Sequence, residues 1–389
     1  MTRARPSAGN SHDLIVFGAG PAGAAAAVTA ARAGLTVALI DKHRFPRDKL
    51  CGGGLTQRAY THFSRIFQAE SPAVPTAVQN RVEFHAFGTH LATVDDVPPL
   101  RFIMRRDFDA ALMQRAISAG AEDFTGHLAN LEISANGASC RLAERTITAP
   151  LVIAADGVNS AIARQLFGSA FDRNTIGFAL EVECPDIVGQ PLRIDFGAAD
   201  WGYGWQFPKT CGTTIGLGGV LSRNKDMKAA LSRYLSVLNV TNAPAPKGQF
   251  LPFGTFRKSP GQGRVLFAGD AAGLVDPITG EGIAHALHSG ELAALAAATA
   301  LTKGAPDSAL PNYQLALWPV HSGLRNAALL RNLMFRPSLR GAFVRGFKGS
   351  TTLRNEYLKL ISGETEYAPL MHKTLRRLPN FLWRSLAGK

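Results

Sequence analysis

Cysteine is scarce in this chain, long apolar runs are missing, and acidic residues thin out toward its end. The four cysteines, Cys51, Cys140, Cys184 and Cys211, stand far apart and form no CxxC pair. That excludes a disulfide framework and a cysteine zinc cage, and it implies a reducing, cytoplasmic setting. No stretch approaches the roughly 20 consecutive apolar residues of a membrane-spanning helix. The polar start MTRARPSAGNSHD has two arginines but no apolar segment or cleavage site of the secretory kind. Internal repeats and low-complexity runs are also lacking, which argues against solenoids and disordered arms. From Pro311 to Lys389 there are 13 Lys or Arg against 3 Asp or Glu, within a chain whose net charge is +13. Such an asymmetry suits an anionic partner, whether a phosphate-bearing substrate, nucleic acid or acidic lipid, and equally a solvated basic surface. No nucleic-acid reading module accompanies the charge, so a nucleic-acid partner is not expected.

What is present is an ordinary globular composition, 46% hydrophobic and 18% charged over 389 residues, long enough for more than one domain. The apolar run Asp13–Phe17 predicts a short strand. GAGPAG follows it, then the alanine-rich AAAAVTAARAG, a strong helix former that stops at Gly34. Leu35–Asp41 reads as a second strand, which completes a βαβ unit. Residues 105–121 have helical spacing, and Ala149–Asp156 and Arg264–Asp270 read as buried strands that lead into helices. RVEFHAFGTHLATVDD and the stretch Thr175–Gly219 alternate and carry turn glycines, as antiparallel strands do. The fold class expected is α/β, α+β overall: a discontinuous Rossmann-like dinucleotide domain (11–75, 101–170, 255–305), an inserted antiparallel β-sheet substrate domain (76–100, 171–254) and a basic helical C-terminal region (306–389).

Gly18, Gly20 and Gly23 form GxGxxG directly after the first strand, and Asp41 ends the second strand. The first glycine permits the tight turn, the second lets backbone approach a pyrophosphate, and the third lets helix pack on strand; the helix amides face the phosphates. A carboxylate at Asp41 can accept from adenosine ribose hydroxyls and opposes a 2′-phosphate. This motif serves NAD and FAD alike. The stretch RVLFAGDAAGLVDPITGEGI (264–283) separates them, since Asp270 can hold ribityl hydroxyls and a helix starting near Gly280, Gly282 and Ile283 can aim its amides at the flavin pyrimidine edge.

This pairing resembles the flavoprotein family that includes p-hydroxybenzoate hydroxylase. Asp156-Gly157 opens a segment similar to that family's DG motif, with Arg164 one residue later than the usual DGxxSxxR spacing, and Arg105 matches its arginine beside the FAD. Two further stretches resemble geranylgeranyl reductases, the flavoenzymes that hydrogenate isoprenoid chains. Lys49-Leu50-Cys51-Gly52-Gly53-Gly54 is similar to their CGG loop near the flavin, and Tyr203-Gly204-Trp205-Gln206-Phe207-Pro208 with Gly216-Leu217-Gly218 matches (Y/F)xWxFP(x7–8)GxG. The resemblance covers residues 13 to about 300. It implies FAD as cofactor, with Gly18, Gly20, Pro21, Ala22, Gly23, Asp41, Lys42, Cys51, Gly52, Gly53, Arg105, Leu128, Asp156, Gly157, Asp270, Gly280, Gly282 and Ile283 as binding residues. It implies an isoprenoid or lipid substrate, touched by Tyr203, Trp205, Phe207, Pro208, Gly216 and Gly218, and NADPH or a ferredoxin as electron donor.

Read from the residues alone, Tyr203, Trp205 and Phe207 recur at spacing two, so a strand turns all three one way, either to line an apolar tunnel or to pack a core. Cys51 among glycines is either a flavin-facing thiol that supplies a proton or a small apolar residue in a tight loop; it is the catalytic candidate. His285 and His288 stand i, i+3 without companion ligands, which favours packing, and no metal is expected. In the tail, GLRNAALLRNLMFRPSLRGAFVRGFKG interleaves arginine with Leu, Met and Phe and breaks at Pro337. Two short amphipathic helices there can lie on the anionic inner face of a membrane, or pack their apolar faces on the domain. The rivals to a reductase are an aromatic hydroxylase or halogenase on the same fold and a non-catalytic flavin-bearing binder.

Overall fold

The computed structural model describes residues 10–127, 129–142, 145–253, 255–365 and 367. Leu14, Ile15 and Val16 are wholly buried, as a strand flanked on both sides by parallel neighbours must be. That strand, Leu14–Phe17, is central in a six-stranded sheet ordered 261–262, 265–267, 151–154, 14–17, 37–41, 122–125, parallel except for the short edge pairing of 261–262 with 265–267.

Helix α1 (Pro21–Arg32) follows, with Gly20 as N-cap, Pro21 in its first turn and no side-chain cap. Its small residues permit close packing against α6 (Ile283–Thr302), where a Cβ on Gly290 would lie 2.1 Å from the Ala22 carbonyl oxygen. A Cβ on Gly23 would lie 1.7 Å from the Gly18 carbonyl oxygen, so only glycine lets this helix sit against its strand. Three more helices flank this region: α2 (Gln57–Phe67), capped by Thr56; α3 (Arg105–Ser118); and α4 (Ala161–Phe167), capped by Ser160.

The second layer is a seven-stranded sheet ordered 247–251, 177–184, 212–220, 203–209, 192–196, 82–86, 89–94. It is not wholly antiparallel: Val82–Ala86 pairs in parallel with Leu192–Phe196, because the earlier hairpin adds beside a strand that arrives about 110 residues later. Helix α5 (Met227–Val237), capped by Asp226, covers one part of this sheet.

The tail departs from the expectation of two short helices. α7 (Ala309–Phe335) is one 27-residue helix that accommodates an exposed Pro319, and the break comes at Pro337, before α8 (Arg340–Gly349) and α9 (Thr351–Ser362). Phe347 of α8 and Tyr357 of α9 are buried in an aromatic cluster with Phe84 and Phe196 of the large sheet. The arginines divide accordingly. Arg331 is buried and donates to the carbonyls of Phe253 and Trp201 (3.1 Å each), while Arg325, Arg336 and Arg345 stay exposed.

Candidate functional site

A single continuous cavity of about 770 Å³ runs between the two main sheets and is closed in part by the C-terminal helices. Two helix starts face it. Gly18, Gly20, Pro21 and Ala22 line it at the start of α1, and Gly280, Glu281, Gly282 and Ile283 line it at the start of α6, which also has no side-chain cap. Unpaired first-turn amides carry partial positive charge and attract anionic or electron-rich groups.

The charged walls are held from behind. Asp109 of α3 has no exposed surface; it accepts two hydrogen bonds from Arg105 (2.7 and 2.8 Å) and pairs with Arg47 at 3.2 Å. Both arginines line the cavity, and Nη1 of Arg47 is buried without a partner. The buried ion pair with Asp109 outweighs burial and keeps the Arg105 guanidinium protonated. Lys49 lies close by, its pKa lowered chiefly by burial. Asp41 is buried at the end of its strand, where it accepts from the Ala19 and His43 amides (2.9 Å each). Asp156 accepts the Ala161 amide (2.8 Å) while its other oxygen is buried and unpaired, and burial pushes its carboxyl up. Gly157 beside it has φ +78°, a turn that a side chain would strain. Lys42, Arg164 and Asp270 also line the cavity.

The loop before α6 is held by a network of hydrogen bonds. Buried Asp276 accepts from the amides of Ile278 and Thr279 and from the Tyr367 hydroxyl (2.8 Å each), and Tyr203 donates to the Thr279 carbonyl at 2.5 Å. The cavity then turns apolar. Leu100, Phe102, Leu192, Ile194, Trp205, Phe207 and Leu251 line it, joined by Tyr357 and Ile361 of α9. Tyr203, Trp205 and Phe207 do face one way, their rings 5.9 and 6.0 Å apart in sequence order.

Between the polar and apolar ends lies the Cys51–Gly54 segment, all of it lining the cavity. The Gly53 amide donates to Cys51 Sγ (3.3 Å), and Lys209 donates to the Gly52 carbonyl (2.5 Å) and the Ile103 carbonyl (3.1 Å). A Cβ on Gly52 would come within 2.7 Å of the Phe207 ring, and one on Gly53 within 2.0 Å of the Ile103 carbonyl oxygen. Glycines are therefore needed for the loop to lie on the sheet.

Most residues singled out from the sequence thus meet in one place. Gly23 packs against its strand instead of lining the cavity, and Pro208 turns to the opposite side of its strand from Phe207. Gly216 makes room for the Trp205 ring, and Gly218 lines a separate cavity of about 30 Å³ beneath Tyr203 and Trp205. Leu128 lies outside the described residues. Sequence reasoning missed Arg47, Asp109, Lys209, Glu181, Tyr357 and Ile361; of these, Arg47, in the basic run before the CGG loop, and Asp109, four residues after Arg105 on one helix, carried local signals.

His288 joins a polar cluster with His62 and Glu291, their ligand atoms within 4.8 Å of one another. Arg65 donates to His62 (2.9 Å) and to Glu291, so a guanidinium supplies the cation there. Burial first, then neighbouring positive charge, lowers His62 to about 3 and His288 to about 4, which keeps both neutral.

These residues fit a flavin dinucleotide: the uncapped start of α1 and two pre-oriented arginines suit a diphosphate, the uncapped start of α6 suits an electron-rich ring edge, buried Asp41 suits a ribose, and the unpaired Nη1 of Arg47 lacks an acceptor. The family model described as FAD dependent oxidoreductase matches residues 13–96. A menaquinone reductase of Mycobacterium tuberculosis is 32% identical over 318 residues, which covers 74% of this chain and 77% of that one. A geranylgeranyl diphosphate reductase of Rhodobacter capsulatus is 31% identical over 318 residues, with 76% and 77% covered. Among solved structures, a geranylgeranyl bacteriochlorophyll reductase-like protein of Thermoplasma acidophilum superposes with a TM-score of 0.78 at 22% identity, over 94% of this chain and 99% of that one, and so shares the fold.

Proposed function

The chain belongs to the geranylgeranyl reductase family of FAD-dependent oxidoreductases, and from that premise we propose that its cavity takes FAD at the polar end and a long prenyl chain at the apolar end, to hydrogenate carbon–carbon double bonds of that chain. Bound, reduced FAD supplies the hydride for one alkene carbon. The protein's own residues do the rest. The first-turn amides of α1, with Arg47 and Arg105 oriented by Asp109, hold the diphosphate, and Asp41 takes the ribose. The amides at the start of α6 favour negative charge beside them, and Asp276 and Tyr203 keep that turn from yielding. Trp205, Phe207, Phe102, Tyr357 and Ile361 exclude water from the alkene and hold an unfunctionalised chain by area alone. The Cys51 thiol stands between the two ends and is the side chain nearest in kind to a proton carrier at the loop.

One observation carries this reading: a single cavity joins a phosphate-suited polar end to a long aromatic and aliphatic end. We assign 11–75, 101–170 and 255–305 to FAD binding, 76–100 and 171–254 to the substrate, and 306–365 to the basic helical region; of the remainder to 389, all but Tyr367 lies outside the described residues. Electrons reach the flavin from NADPH or from a ferredoxin; anaerobic mixing with each in turn decides which. No helix of the described residues is long and apolar enough to cross a membrane. A lipid-borne substrate is instead met at the inner membrane face by one stripe of α7, where Leu315, Trp318 and Leu329 are 77%, 59% and 59% exposed alongside exposed Arg325 and Arg336. The deciding experiment is anaerobic: the flavin-loaded protein is reduced chemically and given geranylgeranyl compounds, and mass spectrometry reads added hydrogen pairs. Flavin reoxidation without added hydrogen, or with oxygen and a hydroxylated or halogenated aromatic, would sink the reading.

A further inference from the structure

Hydride addition leaves the second alkene carbon in need of a proton, and the residues at the apolar end of the cavity include no acid. Beneath the Cys51 loop there is one. Glu181, 3% exposed on the strand 177–184, accepts the Cys51 amide at 3.2 Å through Oε1, and its Oε2 is buried with no partner. Its cross-strand neighbour Lys247 turns instead to Glu183 (3.6 Å) and Asp48 (3.7 Å). On the other side, Glu181 registers against Gly216 and Gly216 against Trp205, and the indole of Trp205 fills the space that a side chain at 216 would take. Trp205 Nε1 is likewise buried and unpartnered.

From the same sheet the Lys209 ammonium holds the carbonyl of Gly52, the residue after Cys51. An acid and an amine therefore grip consecutive residues of the loop. Burial pushes the Glu181 carboxyl up, an effect that Lys209 partly offsets and Glu183 adds to; burial pulls Lys209 down. A buried carboxyl without an ion-pair partner lowers stability relative to an apolar residue or an amide, which makes its placement beside a reactive loop a functional signal.

We propose that Glu181 is the proton reservoir of the reduction, feeding the pocket through the Cys51 thiol. The proposal rests on the reductase reading. The balance is simple: a hydride from reduced FAD reaches one alkene carbon and the thiol proton reaches the other. The resulting thiolate takes the proton of the Glu181 carboxyl, and the carboxylate is recharged from solvent. The reduced flavin is oxidised to FAD, and the double bond gains two hydrogens.

Glu181→Gln keeps an acceptor for the Cys51 amide and removes the proton, so it separates supply from anchoring. Two readouts are taken on the whole, flavin-loaded protein. In infrared spectra with carbon-13 glutamate, a protonated buried carboxyl present at pH 6 and fading toward pH 9 is expected in the wild type and missing from E181Q. In anaerobic single turnovers with a geranylgeranyl substrate, E181Q is expected to reoxidise its flavin on the order of 100-fold more slowly, with flavin affinity unchanged and the alkaline decline of the rate abolished. Lys209→Met tests the same group without altering it, and is expected to move the carboxyl titration to higher pH. A wild-type carboxyl already ionised at pH 6, or an E181Q rate and pH profile matching the wild type, overturns the proposal. Wild-type protein that shows the titrating carboxyl yet hydrogenates no prenyl chain overturns the delivery step together with the substrate reading. That failure is distinct from one in which the wild type turns over and E181Q equals it.

Discussion

Asp109→Asn tests whether the polar end of the cavity is built as described. The residue is wholly buried, accepts two hydrogen bonds from Arg105 and forms an ion pair with Arg47, so the amide preserves shape while it leaves two guanidiniums short of a countercharge. Removing one partner of a buried ion pair costs about 3–5 kcal/mol, and the lower end applies because asparagine retains one acceptor. With an unfolding entropy of roughly 2.1 cal/mol/K per residue, a chain of this size unfolds with ~0.8 kcal/mol/K, so a loss of ~3 kcal/mol lowers the melting temperature by about 4 °C. Arginines no longer aimed at the diphosphate should also weaken flavin binding about tenfold, or ~1.4 kcal/mol. Circular dichroism melts of flavin-free protein give the first quantity, and fluorescence titration with FAD gives the second. A lower melting temperature with unchanged flavin affinity would refute the idea that Arg47 and Arg105 touch the cofactor, and no change in either would refute the ion-pair argument itself.

Three further outcomes are expected. The folded pKa of Glu181 is raised, so its contribution to stability is complete below the unfolded carboxyl range of about 4.3 and is lost as pH rises through the folded value. E181Q, which does not titrate, should therefore gain on the wild type between pH 5 and pH 8.5 in thermal melts, and a pH-independent difference would contradict this. Phe347→Ala removes a buried ring that meets Phe84 at 5.1 Å, Phe196 at 5.5 Å and Tyr357 at 5.8 Å, and should cost about 3–5 kcal/mol. Because Tyr357 lines the cavity, substrate KM should rise more than kcat falls; equal effects on both would argue against a prenyl chain at that end. Leu315→Glu with Trp318→Glu should abolish salt-sensitive co-sedimentation with anionic vesicles and leave turnover of detergent-dispersed substrate unchanged, and retained sedimentation would remove α7 from the membrane reading.

What could be read from the chain was mostly local. GxGxxG needs only its own strand and helix to make sense, and Asp41 lies at the end of the adjoining strand, so turn chemistry and period sufficed. The helix start at Gly280–Ile283 was legible for the same reason, since the glycines before it permit the turn; α6 begins at Ile283. Alternation at Tyr203, Trp205 and Phe207 correctly put three rings on one face but left open whether that face was core or channel. The tail left two readings open. Arginine spaced among apolar residues suits a membrane surface, yet Arg331 is buried on backbone carbonyls, and α8 packs its phenylalanines on the sheet. Alternation also could not reveal the parallel pairing of 82–86 with 192–196, because both pairings give the same two-residue period.

The one-dimensional pattern determined the dinucleotide fold and the side of the strand that carries Tyr203, Trp205 and Phe207, because each depends on residues within a turn or two of one another. Only the folded chain decided that Asp109 pairs with Arg47 as well as Arg105, that Tyr357 and Ile361 of α9 line the cavity, and that Glu181 lies under a loop 130 residues earlier. Burial and pairing between distant segments have no period to read, and they set which charge stays unpaired and which proton is loosely held.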